Sequence, residues 1–238
     1  MPDPEILADA DAVAIAAARA IAAEAREAVA ARGRFAFAVS GGRTPWQMLR
    51  ALAGEPLPWE RIHVFQVDER VAPAGDPDRN LTHLRESLVS RVDLPAGNLH
   101  AMPVERDDLA AGAAAYAREL AAAAGGVLDL VHLGLGPDGH TASLVPGDPV
   151  LEVWDADVAV TGPYAGRCRM TLTYPAIDRA RRILWVVTGA EKSPVLPRLD
   201  AGDRSIPAGR VRADRAMILA DVAAAAGLPP ERRGTEGR

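Results

Sequence analysis

Apolar residues recur along the chain with two different spacings, and the two alternate. Between Ala8 and Arg32 they follow the helical period, and Gly33 stands where a helix C-cap is expected. Short apolar runs predict strands instead, in "RFAFAVS", "RIHVFQVDER", "VLDLVHLGLG", "RRILWVVTG" and "RAMILAD". Helical patterns lie in "WQMLRALA", "NLTHLRESLVS" and "DDLAAGAAAYARELAAAA", the last with Asp107 or Asp108 as its N-cap.

This alternation of strands and helices predicts an α/β protein. Helices that connect parallel strands cover both faces of a sheet, so we expect a three-layer α/β/α, Rossmann-like fold with a mostly parallel central sheet. The segments "ADVAVTG" and "RCRMTLTY" predict a hairpin through "PYAG", as part of a small β-rich addition near Val150 to Thr173. No segment is long enough to link two domains. We therefore expect residues 1–238 to form a single domain with a frayed tail at residues 229–238.

Composition narrows the possible partners. The 238 residues have a net charge of -5, which argues against a nucleic-acid partner but allows a locally positive pocket. No apolar stretch approaches the roughly 20 residues of a membrane span, and the acidic N-terminus lacks the features of a signal peptide. The single cysteine, Cys168, cannot form an internal disulfide. We expect a cytoplasmic protein with neither a membrane nor a nucleic-acid partner.

Polar or glycine-rich residues follow four of the predicted strands, in "VSGGRTP", "QVDER", "LGLGPDGHTASLVPG" and "VVTGAEKSP". Any one of these segments is compatible with an ordinary turn, because turns favour Gly and Ser. In an open parallel sheet, however, ligands bind at the carboxyl ends of the strands. The four segments together therefore predict one binding cleft.

The segment "SGGRTP" has the residue types of an anion site. Ser40, Gly41, Gly42 and Thr44 lie between a strand and a helix, and backbone N–H groups at a helix N-terminus attract anions. Glycine would let a phosphate group approach the backbone closely. The Gly-Lys-Ser/Thr ending of a P-loop is missing, and "GLGPDG" fits a turn better than a dinucleotide fingerprint. We expect no nicotinamide cofactor.

His140 is the candidate general base. Imidazole changes charge near neutral pH, and His140 lies in the glycine-rich loop two residues after Asp138. The other four histidines show no metal-ligand spacing, so we expect no metal site.

Charged residues at the other strand ends are candidate ligands for an anionic substrate. Asp68, Glu69 and Arg70 end an apolar strand, so one or two of them should point into the cleft. Arg169 and Lys192 are candidate phosphate ligands, although either is about as compatible with a plain surface cation.

In this order, the segments resemble the 6-phosphogluconolactonase family. The resemblance runs through "SGGRTP", "VDERVAP", "LGLGPDGHTASLVPG", "RMTLTYPAI" and "VTGAEKSPVL", from about Phe35 to Leu196. "SGGxTP" also occurs in glucosamine-6-phosphate deaminases, but their loop after Gly-His continues through Asn-Glu-Pro-Gly, whereas this chain has "TASLVPG". Val145 replaces a frequent Phe, and "DRNL" matches the family's Asp-Ser-Asn-Tyr only at Asp78 and Asn80, so Asn80 is given no role.

The resemblance implies a cofactor-free enzyme, a carboxylic ester hydrolase that converts 6-phospho-D-glucono-1,5-lactone to 6-phospho-D-gluconate in the pentose phosphate pathway. His140 would be the base, Asp68 or Asp138 would orient or charge-balance its ring, and Arg70 or loop N–H groups would stabilise the oxyanion. The phosphate group would be held by Ser40, Gly41, Gly42, Thr44, Arg169 and Lys192.

Two other functions stay open at this point. One is an aldose-ketose isomerase or deaminase of the same fold. The other is a non-catalytic sugar-phosphate sensor, which would carry a helix-turn-helix unit that the Ala-rich N-terminal helix does not suggest. In each case the partner is a small phosphorylated sugar, and a monomer is compatible with the pattern.

Overall fold

The structure is a computed structural model that describes residues 2–233. Its strands are β1 (Glu5–Leu7), β2 (Phe35–Val39), β3 (Ile62–Gln66), β4 (Asp68–Arg70), β5 (Leu99–His100), β6 (Leu130–Leu133), β7 (Val158–Val160), β8 (Arg169–Leu172), β9 (Arg182–Val187) and β10 (Ala216–Asp221). Its α-helices are α1 (Ala10–Arg32), α2 (Arg43–Leu52), α3 (Asn80–Ser87), α4 (Leu109–Ala124), α5 (Tyr174–Asp178), α6 (Leu196–Asp200) and α7 (Val222–Ala225).

Seven of the strands form a parallel sheet in the order β1-β10-β9-β6-β2-β3-β5. Alternate side chains of β2 enter different hydrophobic cores: Phe35 and Phe37 pack in the core that contains α1 and α2, and Ala36 and Ala38 in the one that contains α4. A helical layer therefore covers each face of the sheet. The predicted α/β/α fold is confirmed.

The two long helices begin and end where their capping residues predict. Asp9 caps α1 by accepting a hydrogen bond from the Ala12 amide, and Gly33 ends the helix with a left-handed φ of 74°. Of the two candidates for the cap of α4, the structure selects Asp108, whose carboxylate accepts from the Ala111 amide at 2.9 Å.

A second, antiparallel sheet has the order β4-β8-β7 and contains the predicted hairpin. The segment "RIHVFQVDER", predicted as one strand, instead divides at Val67 between the two sheets. The Val67 amide donates to the Val39 carbonyl of the parallel sheet, and the Val67 carbonyl accepts from the Leu172 amide of the antiparallel sheet. This transfer brings Asp68 and Arg70 to the end of the cleft.

Two short edge strands, β1 and β5, were not predicted, since three and two residues are too few to show a period. The expectation of a frayed tail at residues 229–238 stays a prediction. Residues 230–232 form a helical turn in which Arg232 pairs with Asp200 and Asp3. Residues 234–238 lie outside the described residues.

Candidate active site

Two adjoining cavities open where β2, β3, β6 and β9 end. The smaller, of about 210 Å³, is lined by Ser40, Gly41, Asp68, Arg70, His140, Arg169 and Lys192 among others. The larger, of about 780 Å³, shares Gly41 and Lys192 with it and also contains Gly42 and Thr44. All nine predicted site residues therefore line one cleft, although eight of them come from four separate strand ends and Arg169 begins β8.

The His140 ring is held by Asp138. Its Nδ1 lies 2.6 Å from Asp138 Oδ1, and the same oxygen accepts from the His140 amide at 3.1 Å. Burial acts to raise the pKa of Asp138, but the hydrogen bonds and charge of His140 outweigh burial, and the pKa lies below its ordinary value. An ionised carboxylate only accepts, so the proton of a neutral ring is placed on Nδ1 and Nε2 keeps its lone pair.

Asp68 is buried in a different set of contacts. Its Oδ2 accepts from the Ser143 hydroxyl at 2.6 Å, and its Oδ1 accepts from Asn80 Nδ2 at 3.2 Å. Arg169 Nη1 lies 4.0 Å from Asp68 Oδ2. The carboxylate that contacts His140 is therefore Asp138, and Asp68 faces the same cavity from the opposite loop.

Two arginines supply positive charge beside Asp68. Arg70 Nη1 donates to the Asp78 carbonyl at 2.7 Å and to Asn80 Oδ1 at 2.9 Å. The Nε atoms of Arg70 and Arg169 are buried and have no hydrogen-bond partner within residues 2–233. Burial, with the nearby charge of Arg70, lowers the pKa of Arg169, yet a guanidinium stays charged throughout the physiological range. Both arginines therefore bring positive charge to the lining of the smaller cavity.

Glu69 points away from the cleft and joins β4 to the start of α3. It is fully buried, accepts from the Asn80 and Leu81 amides at 2.8 Å each, and lies 3.0 Å from Arg79 Nε. It thus satisfies the first amides of α3, which has no side-chain N-cap of its own. The expectation that one or two residues of the triplet face the cleft is confirmed: Asp68 and Arg70 do.

Ser40 joins the segment "SGGRTP", here called the anion loop, to the central sheet. Its amide donates to His132 Nδ1 at 3.2 Å, and its hydroxyl donates to the His132 carbonyl at 3.0 Å. Burial lowers the pKa of His132 to about 3, so that its ring stays neutral and accepts this bond. Both donors of Ser40 are used within the protein, which gives it a structural part in the loop beside any contact with a ligand.

The larger cavity lies at the N-terminus of α2. Gly42 is the N-cap and, having no side chain, makes no capping bond to the first turn. Thr44 Oγ1 lies 2.7 Å from Thr188 Oγ1, which joins this turn to the loop after β9. Lys192, on the same loop, borders both cavities with 19% of its side chain exposed. The N–H groups at the start of α2 and the Lys192 ammonium group therefore border the same cavity.

Comparison with known proteins identifies the family. A profile of the family described as glucosamine-6-phosphate isomerases/6-phosphogluconolactonase matches residues 8–219. The chain belongs to this family. It is 40% identical over 203 residues to the 6-phosphogluconolactonase of Synechocystis sp., which covers 81% of this chain and 84% of that protein.

Solved structures of the family have the same fold. The 6-phosphogluconolactonase from Thermotoga maritima superimposes with a TM-score of 0.83 at 29% identity, over 92% of this chain and 98% of that one. A monomeric glucosamine-6-phosphate deaminase also gives 0.83, at 20% identity, over 94% of this chain and 99% of that one. The second likeness shows the fold alone. The fold by itself therefore does not distinguish a lactonase from a deaminase.

The glycines of the loop "LGLGPDGHTASLVPG" differ in what surrounds them. A Cβ atom on Gly136 would lie 2.1 Å from His140 Nδ1, and one on Gly139 would lie 2.6 Å from Ile206 Cβ. Both glycines therefore make room for the protein's own side chains, and Gly136 also lines the smaller cavity. Gly134 borders both cavities and has open space around its Cβ position.

One residue of the site escaped sequence reasoning. Asn80, which was given no role, bonds to both Asp68 and Arg70. Lys192 is the only lysine among the 27 basic residues, Lys and Arg together, of the chain. This count is a further sequence signal for Lys192, which was already a candidate phosphate ligand.

Within residues 2–233, no group of three or more His, Cys, Asp and Glu side chains has an arrangement that could hold a metal ion. Over the same residues, no helix combines the length and apolar character needed to cross a membrane.

Proposed function

We propose that this protein hydrolyses 6-phospho-D-glucono-1,5-lactone to 6-phospho-D-gluconate, a step of the pentose phosphate pathway. The observation that carries the proposal is the arrangement of the smaller cavity. His140, fixed by Asp138 with Nε2 unpaired, shares that cavity with Arg70, Arg169 and Lys192. A base beside three cations fits a neutral ester that carries an anionic group.

In the proposed mechanism, His140 Nε2 takes a proton from a water molecule while the water oxygen attacks the C1 carbonyl. The tetrahedral intermediate collapses by breaking the bond between C1 and the ring oxygen, which receives the proton from the imidazolium. General-base catalysis of this kind contributes roughly 10²–10⁴-fold in rate. Asp138 holds the ring in the reactive tautomer and balances its positive charge.

The phosphate group is assigned to the larger cavity. Open N–H groups at the start of α2, with Gly41, Gly42 and Thr44, surround it on one side, and Lys192 supplies the opposing charge. Ser40 holds this loop to β6. Arg169 lies nearer the smaller cavity, where it contacts the side of the sugar that faces Asp68. Anchoring a remote group fixes the carbonyl near the base and lowers the barrier.

The developing oxyanion needs a donor in the smaller cavity. Arg70 is the candidate side chain, because it is a permanent cation that lines this cavity. The amide of Gly134 or Leu135, both of which line the cavity, is the backbone alternative.

The test is an assay with freshly generated lactone, corrected for spontaneous hydrolysis. We expect turnover without added metal, no loss of activity with a chelator, and loss of kcat in His140→Ala and His140→Asn at little change in KM. A folded His140→Ala protein that keeps the wild-type kcat would show that another group is the base. Ammonia release from glucosamine 6-phosphate, without lactone hydrolysis, would assign the deaminase activity instead.

The remaining expectations stay predictions: one domain over residues 1–238, a cytoplasmic location, a monomeric state and the absence of a cofactor. Size-exclusion chromatography with light scattering tests the monomer.

A further inference from the structure

Tyr164 lies behind the candidate base, at the tip of the hairpin between β7 and β8. Its amide donates to the Arg167 carbonyl at 3.0 Å, and the Arg167 amide donates back at 3.3 Å. The two residues between them, Ala165 and Gly166, have left-handed φ values of 51° and 80°. This is the geometry of a two-residue type I′ turn, which leaves the hairpin tip little freedom.

The tip is also tied to the opposite wall of the cleft. Arg167 pairs with Asp78 at 2.9 Å and with Asp76 at 3.2 Å, on the loop that leads to α3. On the same hairpin, Arg169 lies over the Tyr164 ring, 5.0 Å from its centroid. The position of the Tyr164 ring is therefore fixed from both sides.

Tyr164 contacts both members of the catalytic pair. Its hydroxyl lies 3.3 Å from Asp138 Oδ2 and 3.5 Å from His140 Nδ1, and the two rings meet edge to face at 5.4 Å. The two carboxylate oxygens of Asp138 thus have different partners. Oδ1 accepts from His140, and Oδ2 accepts from Tyr164. Tyr164 is not part of the lining of the smaller cavity, so it acts on the reaction only through residues that it contacts, which are this pair and Arg169.

We propose that Tyr164 is a positioning residue of the proposed hydrolysis, whose hydroxyl holds Asp138 Oδ2, fixes the His140 ring and sets the pH at which that ring becomes a base. The proposal rests on the proposed function. A hydrogen bond to Oδ2 withdraws negative charge from the carboxylate that stabilises the protonated ring. Losing the hydroxyl therefore makes Asp138 a stronger partner for the imidazolium, and the ring keeps its proton to a higher pH.

The protonation states of Tyr164 and Asp138 are consistent with this shift of the His140 ring to higher pH. Burial, followed by the charge of Asp138, raises the pKa of Tyr164, so its hydroxyl remains a donor, while the pKa of Asp138 is lowered. Across the cavity the charged groups that line the same space are Asp68, Arg70, Arg169 and Lys192. Tyr164→Phe changes none of them and keeps the ring that Arg169 covers.

The experiment compares Tyr164→Phe with the wild type in two measurements. In the pH profile of kcat/KM, we expect the acid limb to move to higher pH by roughly 0.3 to 1 unit. In an NMR titration of the ring protons, with His140 assigned by His140→Gln, we expect the midpoint to move in the same direction. Plateau kcat should fall several-fold while KM changes little. Tyr174→Phe, which removes a hydroxyl bonded to the Pro207 carbonyl, is the matched control and should shift neither measurement.

An unmoved acid limb and midpoint in Tyr164→Phe, or a shift to lower pH, overturns the proposal. A second variant, Tyr164→Leu, should shift the midpoint in the same direction as Tyr164→Phe. The NMR measurement does not depend on turnover. A shifted midpoint in a protein without lactonase activity would thus support the contact while rejecting the proposed function.

Discussion

Gly41 and Asn80 meet so closely that a Cβ atom on Gly41 would lie 2.0 Å from Asn80 Oδ1. Gly41 belongs to the anion loop, and Asn80 bonds to Asp68 and Arg70 on the wall that faces it. The absence of a side chain at residue 41 therefore lets the two halves of the cleft touch.

Gly41→Ala should displace the Asn80 side chain and release both of its charged partners. Hydrogen bonds to charged groups are worth enough that we expect kcat/KM to fall roughly tenfold or more, with the protein still folded. Lactonase kinetics and a thermal unfolding curve check this. Gly97→Ala is the control, since that glycine has open space around its Cβ position.

In an Asn80→Ala background, Gly41→Ala should lower kcat/KM much less, because the Asn80 side chain that the new Cβ atom would meet has been removed. Equal losses in the two backgrounds would show that Gly41 acts through the backbone and not through Asn80.

Asp138→Asn should abolish most activity although it changes only one functional group. An amide can donate to His140 Nδ1, which moves the ring proton to Nε2 and removes the lone pair that accepts the proton of water. We expect kcat to fall roughly 10²–10⁴-fold at nearly constant KM. Asp68→Asn, which leaves the ring contact intact, should lower kcat less. If Asp68→Asn proved the more damaging of the two, Asp68 would be the better candidate for the residue that supports the base.

Lys192→Ala should weaken binding of the phosphorylated substrate and of inorganic phosphate by roughly 10- to 150-fold, because it removes a charge-assisted bond. Arg169→Ala should also weaken substrate binding, and Lys192→Arg, which keeps the charge, should lose less. The measurements are KM and the inhibition constant for phosphate. Unphosphorylated gluconolactone is the control substrate, and its kinetics should not respond to Lys192→Ala. A parallel loss with that substrate would place the phosphate elsewhere.

His132 should make the fold less stable in acid. Its folded pKa is about 3 against an ordinary value of 6.5, so between these values the unfolded chain binds a proton that the native protein does not. Stability therefore falls as the pH falls through this window, by on the order of 5 kcal/mol over its whole width. Urea unfolding at about pH 7 and about pH 4.5 measures it.

The comparison variant is His132→Asn, which offers Ser40 an acceptor but cannot be protonated in this range. It should lose less stability between the two pH values than the wild type does. Equal losses would mean that the ring is protonated without unfolding.

Much of the fold was predictable because its signals are local. Gly33 and Asp108 end and begin helices through contacts within a few residues of themselves, and the apolar runs of the central strands are buried on both faces. The division at Val67 was not predictable. It depends on hydrogen bonds to Val39 and Leu172, which are distant in sequence.

In the site, too, only the contacts between residues close in sequence could be predicted. His140 and Asp138 are neighbours in one loop, so the pair could be named from the sequence, although the choice between Asp138 and Asp68 needed coordinates. Asn80 bonds to residues 12 and 10 positions away, in a segment whose letters only half match the family pattern. No spacing rule indicates such a contact, because it depends on how α3 is set against β4.

The first amide groups of a helix usually exchange their protons with solvent readily, since the helix offers them no acceptor. In α3 the amides of Asn80 and Leu81 instead donate to Glu69, a carboxylate with no exposed surface. Exchange at these two sites requires α3 to separate from β4, the strand that holds Asp68 and Arg70 in the cleft. The exchange rate of these two protons therefore measures how often this wall of the cleft opens, in the absence of any substrate.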